Sequence, residues 1–158
     1  MKKRILLAMF AAAALGACAT QPMAVSVSDT VARDPDLTTL GGLIARAGMT
    51  ETLKAAGPYT LFAPTNEAFK AVPAKTMDEL AHDPKRLEAV LKYHVLPQKL
   101  EAAQLKSGKK TTAEGAALEL SRAGDMVTVE DAVVQVADVQ ATNGVVHKVD
   151  RVLLPPRR

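Results

Sequence analysis

One stretch decides the fold: Gly57-Pro58-Tyr59-Thr60-Leu61-Phe62-Ala63-Pro64-Thr65-Asn66-Glu67-Ala68-Phe69. Gly-Pro ends the preceding element, and residues 59–63 combine aromatic, β-branched and apolar side chains that favour a strand. Pro64 ends that strand. Thr65 can then cap a helix whose first turn holds Glu67, where a negative charge suits the helix dipole. The stretch therefore predicts a strand joined directly to a helix.

Helices are predicted on both sides of this stretch. Upstream, apolar residues at helical spacing predict a helix from Leu37 to about Ala47, capped by Asp36, and a shorter one beginning at Thr50. Downstream, a capping box at 76–79 indicates the next helix start. Asp83 followed by Pro84 then begins a helix that reaches Tyr93 or His94, because proline is tolerated at the first helical position.

The last third of the chain changes to strand patterns. Residues 118–121 alternate between apolar and polar, and a turn at Ala123-Gly124-Asp125 predicts a hairpin into 127–130. Another strand is expected around 134–139. Asn143-Gly144 predicts a tight turn with positive φ angles. The run 145–154 is apolar on both faces, as in a central strand.

Composition limits the classes of function. At 158 residues, with 48% hydrophobic and 3% aromatic residues, the chain predicts one globular domain with a core of Leu, Val and Ala. Three of the 20 basic residues lie at positions 2–4, and without them the 17 acidic residues balance the charge. No basic stripe or aromatic platform for nucleic acid is expected.

The N-terminus has the pattern of an export signal. Lys2-Lys3-Arg4 precedes the apolar run 5–15, which is too short to span a bilayer. Residues 1–17 are therefore predicted to be a signal peptide. Residues 18–35, polar and without a sustained helical period, are predicted to be a lipidated N-terminus and flexible tether, and 36–156 the folded domain.

Cys18 is the only cysteine of the chain. Leu15-Gly16-Ala17-Cys18 resembles the lipobox of bacterial lipoproteins, which implies a diacylglycerol on the Cys18 thiol and a membrane anchor. Ala19 is not the Asp that usually marks retention in the inner membrane, so the resemblance implies the outer membrane, facing periplasm or cell surface. The alternative is an ordinary A-x-A-like cleavage site and a soluble secreted product.

Two histidines lie among apolar residues. His94 falls on the apolar stripe of its helix, and His147 shares a strand face with Val145 and Val149. Buried, hydrogen-bonded imidazoles are expected at both positions, since zinc requires three or four ligands and no others are at hand. His82 lies in a polar turn. No nucleophile has a base nearby, so no catalytic residues, metal or cofactor are predicted, and the protein is not expected to be an enzyme.

Three motifs in order resemble the fasciclin-type (FAS1) domain: residues 60–69, Tyr93-His94 followed by Val95-Leu96-Pro97, and residues 142–150. The resemblance spans about Asp36 to Pro156. It implies an α+β fold, a FAS1-like wedge-shaped β-sandwich with several short helices packed over the N-terminal half. It also implies a structural hydrogen-bond network that includes Thr65, Asn66 and His94, to which His147 is added from its strand position.

The resemblance further implies a non-enzymatic adhesion or protein-interaction module of the cell envelope. Tyr93 and His94 become candidate interaction residues, with an unknown protein or cell-surface partner. An alternative is a carrier of a small apolar or haem-like ligand in a cleft, with His82, His94 or His147 contributing. A purely structural envelope protein is the third possibility.

Overall fold

A computed structural model describes residues 25–156. Predictions for the signal peptide and for Cys18 lie outside these residues. The helices are α1 Val27–Arg33, α2 Thr38–Arg46, α3 Thr50–Lys54, α4 Asn66–Lys70, α5 Ala74–His82 and α6 Pro84–Tyr93. The strands are β1 Tyr59–Pro64, β2 Val95–Leu96, β3 Gly108–Thr111, β4 Ala117–Ala123, β5 Met126–Val129, β6 Ala132–Ala141 and β7 Gly144–Val149. Short 3₁₀ helices cover Pro35–Leu37 and Ala102–Gln104.

The strands of the described residues form one seven-stranded sheet in the order β2-β1-β7-β6-β5-β4-β3. All neighbours are antiparallel except β1 and β7, which run parallel with Phe62 opposite His147. β7 is thus a central strand, as its two apolar faces predict. The two outer strands, β2 and β3, approach each other. The N–H of Ala113, just after β3, donates to the carbonyl of Val95 in β2 at 2.8 Å. The sheet is therefore nearly closed into a barrel.

Strand β6 divides the sheet into two halves. Its first residues pair with β5, and the rest pairs with β7 through register shifts between Val134 and Val139. Asp138 within this irregular part has a positive φ of 59°. Bulges bend a strand and strengthen its twist. The two halves can therefore face each other, and the α+β fold predicted from the sequence is confirmed.

Two apolar clusters fill the protein. One lies under the helices and joins α1, α2, α3 and α6 to β1 and β7. The other lies within the sheet and includes Phe62, Tyr93, Leu118 and Leu120. Phe62 and Leu61 are consecutive in β1 and belong to different clusters. Strand β1, which the opening stretch of sequence predicted, therefore separates the two cores.

The prediction of a flexible tether up to residue 35 is wrong for residues 27–33, which form helix α1. Val27 and Val31 are both 0% exposed and belong to the core under the helices. Ser26 caps the helix by accepting from the Asp29 N–H at 3.2 Å. With only two large apolar residues on one face, this helix is too short for its period to stand out.

Several element boundaries also differ from the prediction. Asp36 lies inside a 3₁₀ turn capped by Asp34, and α2 begins two residues later. Helix α5 begins at Ala74, directly after Pro73, and not at the predicted capping box. The turn between β6 and β7 is present, yet neither Asn143 nor Gly144 has a positive φ. Hydrogen bonds between the Asn143 side chain and backbone groups of Val27, Leu53 and Ala55 hold this turn.

Candidate functional site

His94 lies at the C-terminal end of α6 and is 1% exposed. Its Nδ1 donates to the Val90 carbonyl at 2.7 Å, and its Nε2 accepts from the Leu153 N–H at 2.9 Å. Burial lowers the pKa of the imidazole to about 4, against which the bond to Val90 acts. The ring is therefore neutral at physiological pH, with both nitrogens occupied by backbone groups.

His147 lies in β7 and is 0% exposed. Its Nε2 donates to the Leu100 carbonyl at 2.8 Å, and its Nδ1 accepts from the Asp138 N–H at 3.1 Å. The ring stacks on Phe62 with centroids 5.7 Å apart. Burial lowers the pKa of this imidazole too. His147 therefore fastens the irregular part of β6 and the 97–104 loop to the central strand.

Tyr93 is 3% exposed and lies in the cluster within the sheet. Its hydroxyl is 3.2 Å from Glu130 Oε1 and 3.3 Å from the Ala117 carbonyl, and it donates to this pair of acceptors. Burial, and next the charge of Glu130, raise the pKa of Tyr93 to about 12. The phenol stays protonated, so it can act as a hydrogen-bond donor at any physiological pH.

The candidate interaction role of Tyr93 and His94 therefore needs correction. Both rings are inside the protein, and neither offers a surface that a partner could contact directly. What the pair does is hold two other residues, Glu130 and Leu153, which line a hollow on the surface.

Thr65 and Asn66 hold the helices near the opening strand. Thr65 Oγ1 accepts from the Ala68 N–H at 3.4 Å, which confirms the predicted helix cap. Asn66 Oδ1 accepts from the Thr39 N–H at 3.0 Å, and Asn66 Nδ2 donates to the Pro35 carbonyl at 3.0 Å. Among the described residues, no side-chain hydrogen bond joins any two of Thr65, Asn66, His94 and His147. They are separate fasteners, and not the single network that the resemblance implied.

Asn143 makes long-range hydrogen bonds that the sequence did not predict. Its Oδ1 accepts from the Val27 N–H at 2.8 Å, and its Nδ2 donates to the carbonyls of Leu53 and Ala55 at 2.7 Å each. One side chain thus joins α1 and α3 to the β6–β7 turn. The sequence signalled only the turn, since Asn is common in turns for local reasons.

Two surface hollows lie on either side of Leu154, which is 47% exposed. One has a volume of about 570 Å³ and lies between α4, the β5–β6 turn and residues 150–154. The other, of about 450 Å³, lies between α6 and residues 154–156. Neither is lined by a histidine. The geometry therefore gives no support to a carrier that uses His82, His94 or His147.

Residues 25–156 contain neither a cluster of metal-ligating side chains nor a helix that could span a membrane. No three His, Cys, Asp or Glu side chains there come together as a metal site. Nor does any helix between residues 25 and 156 have the length and apolar character needed to cross a bilayer.

Comparison with known proteins agrees with the fold. Residues 35–155 match the family model of the fasciclin domain. The chain is 41% identical over 135 residues to Protein sll1483 of Synechocystis, covering 84% of this chain and 75% of that protein. It is 36% identical over 143 residues to the cell surface glycolipoprotein MPB83 of Mycobacterium bovis, covering 87% and 62%.

A solved structure gives the same result for the fold. It is a FAS1 domain pair from the insect cell adhesion molecule fasciclin I, with a TM-score of 0.62 and 22% identity over 75% of this chain and 45% of that chain. The protein is an α+β domain in which the side chains of Tyr93, His94 and His147 are buried. It belongs to the fasciclin-domain family. The chain spans 75% of the length of Protein sll1483, 62% of that of MPB83 and 16% of that of human periostin, to which it is 34% identical over 133 residues.

Proposed function

We propose that this protein is a non-enzymatic adhesion or protein-interaction module of the cell envelope. The observation that carries the proposal is the match of residues 35–155 to the fasciclin domain. In this chain, the polar side chains of the three motifs form hydrogen bonds within the protein. The relatives' names support it, since one is a cell surface glycolipoprotein and one a cell adhesion molecule.

The state of the polar side chains argues against a chemical role. An acid–base or ligating imidazole needs a free nitrogen at a surface or cavity. The nitrogens of His94 and His147 are all bonded to backbone groups, and both rings are buried. The Tyr93 hydroxyl has a raised pKa and is likewise bonded internally. These groups therefore contribute to rigidity, which is what a docking module requires.

The proposed anchor is a diacylglycerol on Cys18. It would hold the domain at the outer membrane, facing the periplasm or the cell surface. Eight residues, 19–26, separate Cys18 from α1, because α1 begins at Val27. The domain would consequently sit close to the membrane surface, and any partner must be reached there.

Mass spectrometry of the mature protein tests the anchor. We expect an N-terminal Cys18 that carries a diacylglycerol, and a Cys18→Ala variant that accumulates without lipid and leaves the membrane fraction. An unmodified terminus beyond residue 18 would replace the anchored form with a soluble secreted one.

Adhesion is tested in the cells that produce the protein. Deletion of the gene is expected to reduce attachment to surfaces or cell–cell aggregation, and in-cell crosslinking should capture a defined protein partner. Reintroduction of the wild-type protein should restore attachment, whereas Cys18→Ala should not. Unchanged attachment after deletion, together with no crosslinked species, would contradict the proposed function.

A further inference from the structure

The larger hollow, named here the terminal groove, has the size of a recognition site. Its volume is about 570 Å³, and ligand sites usually measure about 300–1,000 Å³. Its apolar wall includes Val72, Pro73 and Leu154. Leu154 is one of the large apolar side chains that remain exposed among the described residues. The groove is open to solvent and is not an enclosed cavity.

The charged residues of the terminal groove are mostly acidic. The groove is lined by three acidic residues, Glu130, Asp131 and Asp150, and by one cationic residue, Arg151. Asp150 is partly used, because one oxygen accepts from the Val133 N–H at 2.7 Å. The Asp131 side chain lines the groove, is exposed, and makes no side-chain hydrogen bond or ion pair with the residues that the structure describes. The groove therefore has negative charge available for a cationic group.

Glu130 is held in an unusual conformation at the edge of the groove. Its φ of 51° lies in the left-handed region, which non-glycine residues seldom adopt. Its Oε1 accepts from the Glu119 N–H at 2.8 Å and from the Tyr93 hydroxyl at 3.2 Å. The positive φ belongs to the two-residue hairpin turn between β5 and β6, and this turn places Glu130 at the edge of the groove.

The opposite side of the groove is held by the second residue of the Tyr-His pair. His94 Nε2 accepts from the N–H of Leu153, which precedes the exposed Leu154. Two consecutive buried residues thus position the acidic edge and the apolar edge of one groove. Tyr93 and His94 are positioning residues for this surface.

We propose that the terminal groove binds an extended segment of a partner protein that places an apolar side chain against Val72 and Leu154 and a neighbouring Lys or Arg against Asp131 and Glu130. The charge of the groove selects the cation. Its open form suits a chain segment better than a small molecule, which usually has most of its surface buried. This inference rests on the proposed interaction function and names the class of partner.

NMR titration of the ¹⁵N-labelled protein with peptides tests the proposal. The probe is the peptide Gly-Ser-Gly-Leu-Arg-Gly-Ser-Gly, compared with versions in which Arg is replaced by Glu or Leu by Ser. We expect binding of the Leu-Arg peptide, with shifts at Val72, Asp131 and Leu154, and at least about tenfold weaker binding of both other peptides.

Two pairs of variants provide matched controls. Asp131→Asn and Leu154→Ser should weaken binding of the Leu-Arg peptide by about fivefold to tenfold. Asp125→Asn and Met126→Ser should leave it unchanged, because these exposed residues lie at the opposite end of β5. Tyr93→Phe keeps the ring and removes the bond to Glu130. In this variant, the affinities for the Arg and Glu peptides should differ less than in the wild type. The difference in affinity between the Leu and Ser peptides should remain.

Three results would overturn the inference: no binding of the Leu-Arg peptide, equal affinity for the Arg and Glu peptides, or equal loss in the control variants. Concentration-dependent dimers whose contact includes Leu154 would also overturn it, by assigning the groove to a second copy of the chain. If attachment in cells persists with Asp131→Asn and Leu154→Ser, this inference fails and the proposed function stands. If deletion leaves attachment unchanged and crosslinking captures no partner, the proposed function fails.

Discussion

The imidazole of His94 accepts a hydrogen bond from the backbone N–H of Leu153, 59 residues further along the chain. The same ring donates to Val90, one turn back in α6. The His94 N–H itself bonds to Leu91, so the side chain occupies a carbonyl that the helix leaves free at its end. One residue therefore ends α6 and attaches the 150–156 segment to the core.

Replacing His94 with Phe should destabilise the fold by about 3 kcal/mol, because two buried backbone groups lose their partners. His82→Phe is the matched control. His82 also bonds to a carbonyl four residues back, at 2.8 Å, but it is exposed. Its loss should cost less than about 0.5 kcal/mol. Urea unfolding of both variants measures the difference, and equal losses would show that His94 does not act as a buried fastener.

Acidification should weaken the fold before most carboxylates titrate. The pKa of His94 is lowered to about 4 in the folded protein and is near 6.5 when unfolded, so the unfolded state takes up the proton first. Stability is therefore complete above about pH 6.5 and decreases as the pH falls toward 4. His147, whose pKa is also lowered, adds to the effect.

Between pH 7 and pH 5, we expect His94 alone to account for a loss of about 2 kcal/mol in the free energy of unfolding. Urea midpoints measured across this range provide the check. His94→Gln should give a shallower dependence on pH, even though it is less stable at pH 7. An identical pH dependence in this variant would indicate that other groups cause the loss.

Gly144 stands where a side chain cannot fit. A Cβ built there would lie 2.0 Å from the Tyr59 carbonyl oxygen, a backbone atom of the parallel partner strand. Gly144→Ala should therefore break the pairing of β1 with β7 and cost at least about 3 kcal/mol. Gly42→Ala in α2 meets nothing within 4 Å and should stabilise by about 0.5–1 kcal/mol. Thermal unfolding should show a lower melting temperature for Gly144→Ala and a higher one for Gly42→Ala than for the wild type.

Lys148 joins the central strand to the turn before α2. Its Nζ lies 2.6 Å from Asp34 and 3.1 Å from Asp36, and only 13% of its side chain is exposed. Burial lowers its pKa, but the bonds to Asp34 and Asp36 outweigh this and raise it. Lys148→Met should cost about 1–2 kcal/mol, because a largely buried Asp34 carboxylate is left unpaired.

Lys70→Met is the control for Lys148. Lys70 pairs with Glu67 at 2.6 Å, but the two side chains are 71% and 79% exposed. Such surface pairs contribute little, so the loss should stay below about 0.5 kcal/mol. Chemical denaturation at low and high salt provides the measurement. Salt should reduce the Lys70 effect further and leave most of the Lys148 effect.

The elements that the sequence predicted best are those with local signals. Thr65 caps α4 as expected, and Asp83 caps α6 through bonds to the N–H groups of Lys85 and Arg86 at 3.1 Å each. Caps, turns and apolar periods depend on residues a few positions apart. They can therefore be recognised in the sequence before any tertiary contact is known.

What the sequence did not predict depends on distant contacts. The parallel pairing of β1 with β7 and the irregular part of β6 at Asp138 have no local signature. The buried state of Tyr93 is decided by strands β4 and β5, which follow it in the chain. The terminal groove combines residues from α4, the β5–β6 turn and the 150–154 segment. Such a site exists only after the fold has assembled.

Helix α1 is the clearest case of tertiary contacts overriding a polar sequence, and truncation tests it. A chain that begins at residue 36 has the predicted domain boundary but lacks Val27, Val31 and Asp34. It should be about 4 kcal/mol less stable than a chain that begins at residue 25, because each buried valine contributes about 2 kcal/mol. Val31→Ala should reproduce part of this loss, and Val136→Ala, at an exposed position, should not. Equal urea midpoints for the two chains would support the predicted flexible tether, since they would mean that α1 does not stabilise the fold.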